Sequence, residues 1–341
     1  MLKHWLNINS GEVLADRPQK KEIMRKQSYK KNNTKLDTLA QLRKRGVRKF
    51  LQQTKLEELS RYAISIKDNN KIYDRSLKCS HILKQEGTEI TSIYCKQRCC
   101  NICNAIRSAT LMNTYGSAIN KMIEPYFVTL TSKNKQEDWS KLKDRISLMN
   151  ETIRKIADKG RKLKHKILLT GIRKIEITYN IERDWFHPHF HFIVDGEIEA
   201  KYLKQQWLEY NPEALEYLQK CQPATMGTLE ELFKYSVKET DTNEETEEEK
   251  RIPIPALHHI YKTLKNMRTF QTMGNFSAIE INEDELPKLE TQECNQLKPQ
   301  NTLWKWDQNN WWNIYTGERL IDEEITYKSK IKNEKLPLLS G

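Results

Sequence analysis

His187-Pro188-His189-Phe190-His191 opens the apolar run from His187 to Val194. Side chains alternate across a strand, so His189 and His191 project from one face while Phe190 points to the other, into a core. Two imidazoles on one rigid face can chelate a divalent ion. His187 shares that face, but Pro188 places it at the strand edge, which makes it the weaker candidate. Glu176, within Arg173-Lys174-Ile175-Glu176-Ile177-Thr178, falls on the strand expected beside this one and could supply a carboxylate oxygen from the same face. Its plain reading is an ordinary exposed strand glutamate. Imidazoles plus carboxylate with open positions suit Mn2+ or Mg2+ engaged with phosphate oxygens, and Zn2+ stays open as an alternative.

Working outward, Ile167 to Tyr179 reads as the partner strand, with Asn180 to Phe186 as the connection and Asp195-Gly196 as the turn that follows. Tyr126 to Thr131 reads as a buried, β-branched strand after Pro125 ends a helix over Asn104 to Met122. Lys141 to Leu163, Ala200 to Tyr210, Thr228 to Lys238 and Ala256 to Arg268 carry helical periods. In the third of these, Thr228 serves as N-cap and Glu231 completes a capping box. Leu36 to Leu51 hints at an amphipathic helix that Gly46 interrupts. Glu239 to Glu249 reads as a solvated acidic loop. Strands interspersed with helices predict an α+β fold around one mainly antiparallel sheet.

Tyr235, in Leu232-Phe233-Lys234-Tyr235-Ser236-Val237-Lys238, is the candidate nucleophile. Only about 0.1% of an unperturbed tyrosine is phenolate at pH 7, so its attack needs the anion stabilised or its proton removed. A bound cation polarises the scissile phosphate and neutralises charge building on its oxygens. Attack on a phosphodiester exchanges one ester for another, giving a 5′-phosphotyrosine and a free 3′-OH, so the strand can be rejoined without ATP. If Tyr235 is helical, Glu231 four residues before and Lys238 three after share its face. Glu231 would then deprotonate a water or hydroxyl at a second cleavage, and Lys238 would pair with the phosphate or phenolate. The plain readings are a cap for Glu231 and a solvated cation for Lys238.

The 341 residues carry 58 Lys+Arg against 46 Asp+Glu, a net charge of +12. That balance favours a polyanion, by default nucleic acid, over an acidic small molecule. No apolar run approaches membrane length and no signal-peptide core follows Met1, so no membrane is expected and the cytoplasm is the expected location. Seven cysteines are an odd number, and four of them lie between Cys95 and Cys103. A reduced, metal-binding cluster fits better than a disulfide framework. Cys79, Cys95, Cys100 and Cys103 are the preferred set for a closed, structural zinc, with Cys99 as a competing ligand and His81 as a replacement for Cys79. Such a zinc would position Arg98 and Arg107 towards a phosphate backbone. Trp304, Trp306, Trp311 and Trp312 read as packing of a C-terminal segment, with stacking on unpaired bases as the alternative.

Phe127-Val128-Thr129-Leu130-Thr131, His187-Pro188-His189-Phe190-His191 and Lys234-Tyr235-Ser236-Val237-Lys238, in that order, resemble the three motifs of rolling-circle plasmid replication initiators. The similarity is to the branch of the HUH endonuclease superfamily that has an N-terminal cysteine motif. Cys95 to Cys103 with Arg98 and Arg107, and Arg268 to Gly274, also look like that branch. Asn101, where a proline is common, and the additional Cys99 depart from it.

The resemblance implies an HUH-type antiparallel sheet of four or five strands with flanking helices on one side, and a small zinc-binding subdomain. It also implies an enzyme that nicks one strand at a double-strand origin, single-stranded at the nick, stays linked to the 5′ end through Tyr235 and leaves a 3′-OH primer. Metal binding by His189 and His191, participation of Glu231 at termination, and a host helicase and polymerase as partners go with it. The expected organisation is a basic arm over 1–70, a cysteine-rich subdomain over 71–122, a nicking domain over 123–275 and a polar tail over 276–341. An HUH relaxase or transposase, and a zinc-dependent DNA-binding regulator that does not cut, are the rival readings.

Overall fold

The computed structural model of the chain describes residues 38–133, 139–234, 236–242, 249–276, 289–293, 298, 300–322 and 325. Helices α1 (Thr38–Ser65) and α2 (Lys71–Leu77) precede the hairpin of β1 (Ile82–Gly87) and β2 (Glu89–Ile93), and α3 (Asn101–Ile119) follows. Next come β3 (Pro125–Thr131), α4 (Leu142–Lys162), β4 (Gly171–Asn180), β5 (Trp185–Asp195), α5 (Glu197–Tyr210), β6 (Lys220–Pro223) and α6 (Met226–Phe233). The short pair β7 (Thr240–Thr242) and β8 (Glu249–Arg251), α7 (Ile254–Thr263), β9 (Phe270–Met273), β10 (Leu289–Glu293), β11 (Gln300–Asp307) and β12 (Asn310–Asn313) complete the described elements. The fold class is α+β with antiparallel sheets. Among the described residues, no helix is long and apolar enough to cross a membrane.

The chain forms two compact units. The first, built mainly from residues 111–238 and 266–276, contains a five-stranded sheet in the order β6-β3-β5-β4-β9. Its register follows from the tight turn joining β4 to β5: Thr178 sits opposite His187, Glu176 opposite His189 and Lys174 opposite His191. On the far side of β5, Thr129 of β3 faces His191 and Thr131 faces His189.

Alternation sends Phe190 to the other face, where its ring meets Trp207 of α5 edge-on at 6.4 Å. Trp207 donates from Nε1 to the Thr131 carbonyl at 2.9 Å. Helix α4 buries Ile146, Met149, Ile153 and Ile156 at helical spacing. It is tied to α5 by a hydrogen bond from the Tyr202 hydroxyl to the Ile156 carbonyl.

Helices cover both faces of this sheet, not one as expected. On the histidine face, Phe127, Ile172 and Ile193 form a core with Leu111, Tyr115 and Ile119 of α3 and with Leu229, Leu232 and Phe233 of α6. The physical reason is a change of polarity along one strand face. Ile193 needs apolar cover, whereas His191, His189 and His187, further along the same face, do not.

Helix α6 is shorter and starts earlier than the sequence suggests. Thr225, not Thr228, is its N-cap, and the reciprocal capping partner is Thr228 rather than Glu231. The helix ends at Phe233, with Lys234 already extended, instead of running to Lys238. Beyond it the backbone joins the sheet. Ile177 donates its N–H to the Ser236 carbonyl at 3.0 Å, and Val237 bridges Ile177 in parallel. A buried β-branched residue and an open sheet edge outweigh helical periodicity there. The predicted helix over Ala256 to Arg268 is likewise trimmed to Ile254–Thr263.

The second unit holds the other five-stranded sheet, in the order β10-β2-β1-β11-β12. Trp304, Trp306 and Trp311 are its core, packed with Leu83 and Ile90 and with Leu42 and Phe50 of α1. Their burial corrects the base-stacking alternative for these three. Trp304 donates to Gln85 Oε1 and Trp311 to the Ser80 carbonyl.

Gly46 does not interrupt α1; a Cβ there would run into Ile325 Cδ1, so the glycine admits a close approach. The acidic run is not simply a solvated loop either. Thr240–Thr242 and Glu249–Arg251 pair, and Glu239 accepts hydrogen bonds from Lys55 and Tyr261.

Candidate metal centres

Glu176, His189 and His191 converge on the histidine face, their donor atoms all within 4.8 Å of one another. Glu176 Oε1 lies 3.9 Å from His189 Nε2, and Oε2 lies 3.6 Å from His191 Nε2. All three residues are buried. The Nδ1 atoms point the other way, at 3.2 Å from the His187 carbonyl for His189 and 3.2 Å from Thr129 Oγ1 for His191. A carbonyl only accepts, so Nδ1 of His189 carries the proton and Nε2 presents a lone pair towards the carboxylate. The Phe127 ring stacks on His191 at 5.4 Å and holds its plane.

His191 Nε2 is buried without a hydrogen-bond partner. Facing a carboxylate oxygen across 3.6 Å, too far for a hydrogen bond, it fits an intervening cation. Protonation states agree with that fit. Burial pushes His189 down to about 3 and His187 down to about 4. Burial alone would raise the Glu176 carboxyl, but His191 and Lys174 beside it outweigh that and hold it well below the usual carboxylate range. At neutral pH Glu176 is therefore a carboxylate and His189 a neutral imidazole, and with His191 they form a ligand set that leaves coordination positions open.

Lys174 is the residue that the sequence reading missed. Its Nζ donates to Glu176 Oε2 at 2.9 Å and to the Glu231 carbonyl at 3.2 Å, tying the carboxylate to the last turn of α6. The signal was present: Lys174 lies two residues before Glu176 and so shares its face. His187 stays outside the converging group.

Tyr235 lies outside the described residues, so the expectation that it is helical has no structural counterpart. Its chain neighbours are fixed on both sides, by the end of α6 and by the Ser236 carbonyl at Ile177. Glu231 pairs with Lys234 at 2.6 Å near the surface, which lifts the Lys234 ammonium above its ordinary range. Lys238 is exposed and past the helix, so it shares no helical face with Glu231.

In the second unit, Cys79, Cys95, Cys100 and Cys103 bring their Sγ atoms within 4.8 Å of one another. Backbone N–H groups of Cys95, Lys96 and Gln97 point at the sulfurs of Cys79, Cys103 and Cys95 at 3.4, 3.2 and 3.5 Å. Donors aimed at sulfur stabilise thiolates, so four converging cysteines, three of them supported in this way, fit a tetrahedral metal. Cys99 turns away to Ser76 Oγ at 3.3 Å, and the converging group holds Cys79 without His81.

Arg107 is buried, not turned to a backbone phosphate. Its Nη1 donates to Asn104 and its Nη2 to the Lys96 carbonyl, clamping the cysteine loop to α3. Arg98 is half-buried, and its carbonyl accepts from Asn104. Asn101 ties the start of α3 to α1 through Gln52 and Lys55.

An α+β protein with an open, strand-borne histidine and carboxylate group and a separate four-cysteine cluster is the class this architecture defines. The family model described as "Replication protein" matches residues 88–316, more than half of the chain. The chain belongs to this Rep family of replication proteins.

It is 31% identical over 167 residues to "Protein rep" of Staphylococcus aureus, covering 43% of this chain and 70% of that protein. Two further proteins called "Protein rep" are similar over 123 residues each. The one from Bacillus sp is 32% identical, covering 33% of this chain and 39% of the relative. The one from Bacillus amyloliquefaciens is 33% identical, covering 33% and 35%. No solved structure matches the chain.

Proposed function

We propose that the chain initiates plasmid replication in the cytoplasm by nicking one strand at a double-strand origin and later rejoining it. The observation that carries this reading is the buried, unpartnered His191 Nε2 facing Glu176, in a group with open coordination positions. His189, His191 and Glu176 would hold a divalent cation, Mn2+ or Mg2+. Such an ion supplies Lewis-acid polarisation of the scissile phosphate.

In the transesterification, the Tyr235 oxygen bonds to phosphorus, the bond from phosphorus to the 3′ oxygen breaks, and the tyrosine proton leaves with the departing hydroxyl or to a base. The products are a 5′-phosphotyrosine and a 3′-OH primer for rolling-circle synthesis by a host helicase and polymerase. Lys174 holds Glu176 ionised and in place. Lys238 faces the phosphate or the phenolate, and Glu231 activates the hydroxyl at the second cleavage. Arg98 contacts DNA, whereas the hydrogen bonds of Arg107 support a structural role beside the zinc that Cys79, Cys95, Cys100 and Cys103 would bind.

The test is incubation of the full chain with labelled single-stranded and supercoiled origin DNA and Mn2+. The expected result is a covalent 5′-linked adduct that Tyr235→Phe abolishes. An adduct that persists in the Phe variant overturns the nucleophile. DNA left wholly intact by the wild type overturns the enzyme and leaves a zinc-dependent DNA-binding regulator.

A further inference from the structure

The opposite face of the first sheet carries charge that the nicking chemistry does not use. Arg173 precedes Lys174 on β4, so alternation turns it away from the histidines. Only 8% of it is exposed, and its guanidinium lies 5.3 Å from the centroid of the Phe190 ring. Its Nη2 donates to Gln271 Oε1, while Nη1 has no hydrogen-bond partner. Among the described residues no carboxylate pairs with it. A buried cation without a counter-ion is costly, and burial, with Arg154 adding to it, pushes this guanidinium down to about 10.

Arg173 and Gln271 line a cavity of about 390 Å3 between α4 and the β4 and β9 edge of the sheet. Arg154 and Arg161 stand on its α4 side, Ile153 and Leu168 add apolar wall, and none of the lining residues is acidic. At the rim Gly274 has φ +59°, and a Cβ there would meet the Leu169 carbonyl at 2.6 Å, so the wall closes tightly only with glycine. Gln271 and Gly274 belong to the Arg268 to Gly274 stretch, which the nicking chemistry leaves without a role.

We infer that this cavity binds the phosphate of a nucleotide unit, with Arg173, Arg154 and Arg161 as the anion receptor and the apolar wall against sugar or base. Guanidinium forks match phosphate oxygens, and the volume lies in the range of small-ligand sites. The phosphate belongs either to a free nucleotide or to one unit of a DNA strand. The site lies on the opposite sheet face from the histidines and does not depend on their metal.

Phosphorus NMR line-broadening on the full chain tests it, with inorganic phosphate and thymidine monophosphate as probes and sulfate as competitor. Broadening is expected in the wild type and in His189→Ala. Arg154→Ala and Arg161→Ala are expected to weaken binding about tenfold each, and Arg173→Met to abolish it. Should Arg173→Met fail to fold, the two exposed arginines still decide. Affinity unchanged in both alanine variants, or lost in His189→Ala, overturns the site. An oligothymidylate that displaces the monophosphate assigns the pocket to the DNA strand; one that binds without displacing it assigns the pocket to free nucleotide.

Discussion

The histidine–glutamate group and the four-cysteine cluster both gather metal-binding atoms within 4.8 Å, yet they are built in opposite ways. Glu176, His189 and His191 stand on two adjacent strands whose register is set by one tight turn, and three ligands leave positions open. The cysteines come from the loops flanking the β1–β2 hairpin and the first turn of α3, and four thiolates fill a tetrahedron. An open set on a rigid sheet suits substrate chemistry, whereas a closed set on loops suits holding the chain together.

The sharpest way to break that contrast is Cys100→Ser. The closed structural zinc proposed for this cluster would contribute folding free energy on the order of 10 kcal/mol, so the variant should lose stoichiometric zinc and most of its stability. Metal analysis with thermal unfolding reads both. A variant that keeps zinc and melts like the wild type would remove the structural role. His191→Ala should instead spare stability to within about 3 kcal/mol and leave the zinc in place. Metal-dependent cleavage should fall more than about 100-fold, beyond the cost of losing a ligand's supporting partner. Zinc lost along with cleavage would mean the two sites are not separate.

How far each region could be read follows from where its partners sit in the chain. Glu176 was legible beside the histidines because a short turn and a period of two leave little choice of register. The preferred cysteine set came from local spacing, and Cys99 stands apart because Ser76 on α2 takes its sulfur. The end of α6 was not legible. Thr225 and Thr228 are both competent caps, and the pull on Ser236 and Val237 comes from Ile177, on a strand remote in sequence. The tryptophan sheet was hidden for the same reason, since Trp304 pairs with Leu83 across more than half the chain. Arg107 misled because a basic residue near the cysteine cluster of a basic chain reads as a phosphate contact, while burial depends on the packing of α3.

Lys174→Met sharpens the open site from within. The ammonium 2.9 Å from Glu176 competes with any cation for that carboxylate. Removing it should tighten Mn2+ binding on the order of tenfold, measured by titration calorimetry or electron paramagnetic resonance. Weaker binding would show that Lys174 chiefly orients Glu176 through its second bond to the Glu231 carbonyl.

The smallest stability effect is expected from Glu231→Gln, and the size decides what this residue is for. Its carboxylate meets Lys234 near the surface, and exposed pairs of this kind are worth under about 1 kcal/mol. The reciprocal cap of α6 is made by Thr225 and Thr228, so amidation at Glu231 leaves the helix start untouched. Thermal unfolding should therefore hardly move, and the yield of the first covalent adduct should stay at the wild-type level. Loss of a general base would appear only in the second step, as strand release slowed by about 100-fold or more in a single-turnover assay. If release is unimpaired, the carboxylate is a surface partner of Lys234 and the second cleavage draws its base from elsewhere. If the first adduct is lost as well, Glu231 acts on Tyr235 itself, and the division of labour between nucleophile and base has to be redrawn around α6.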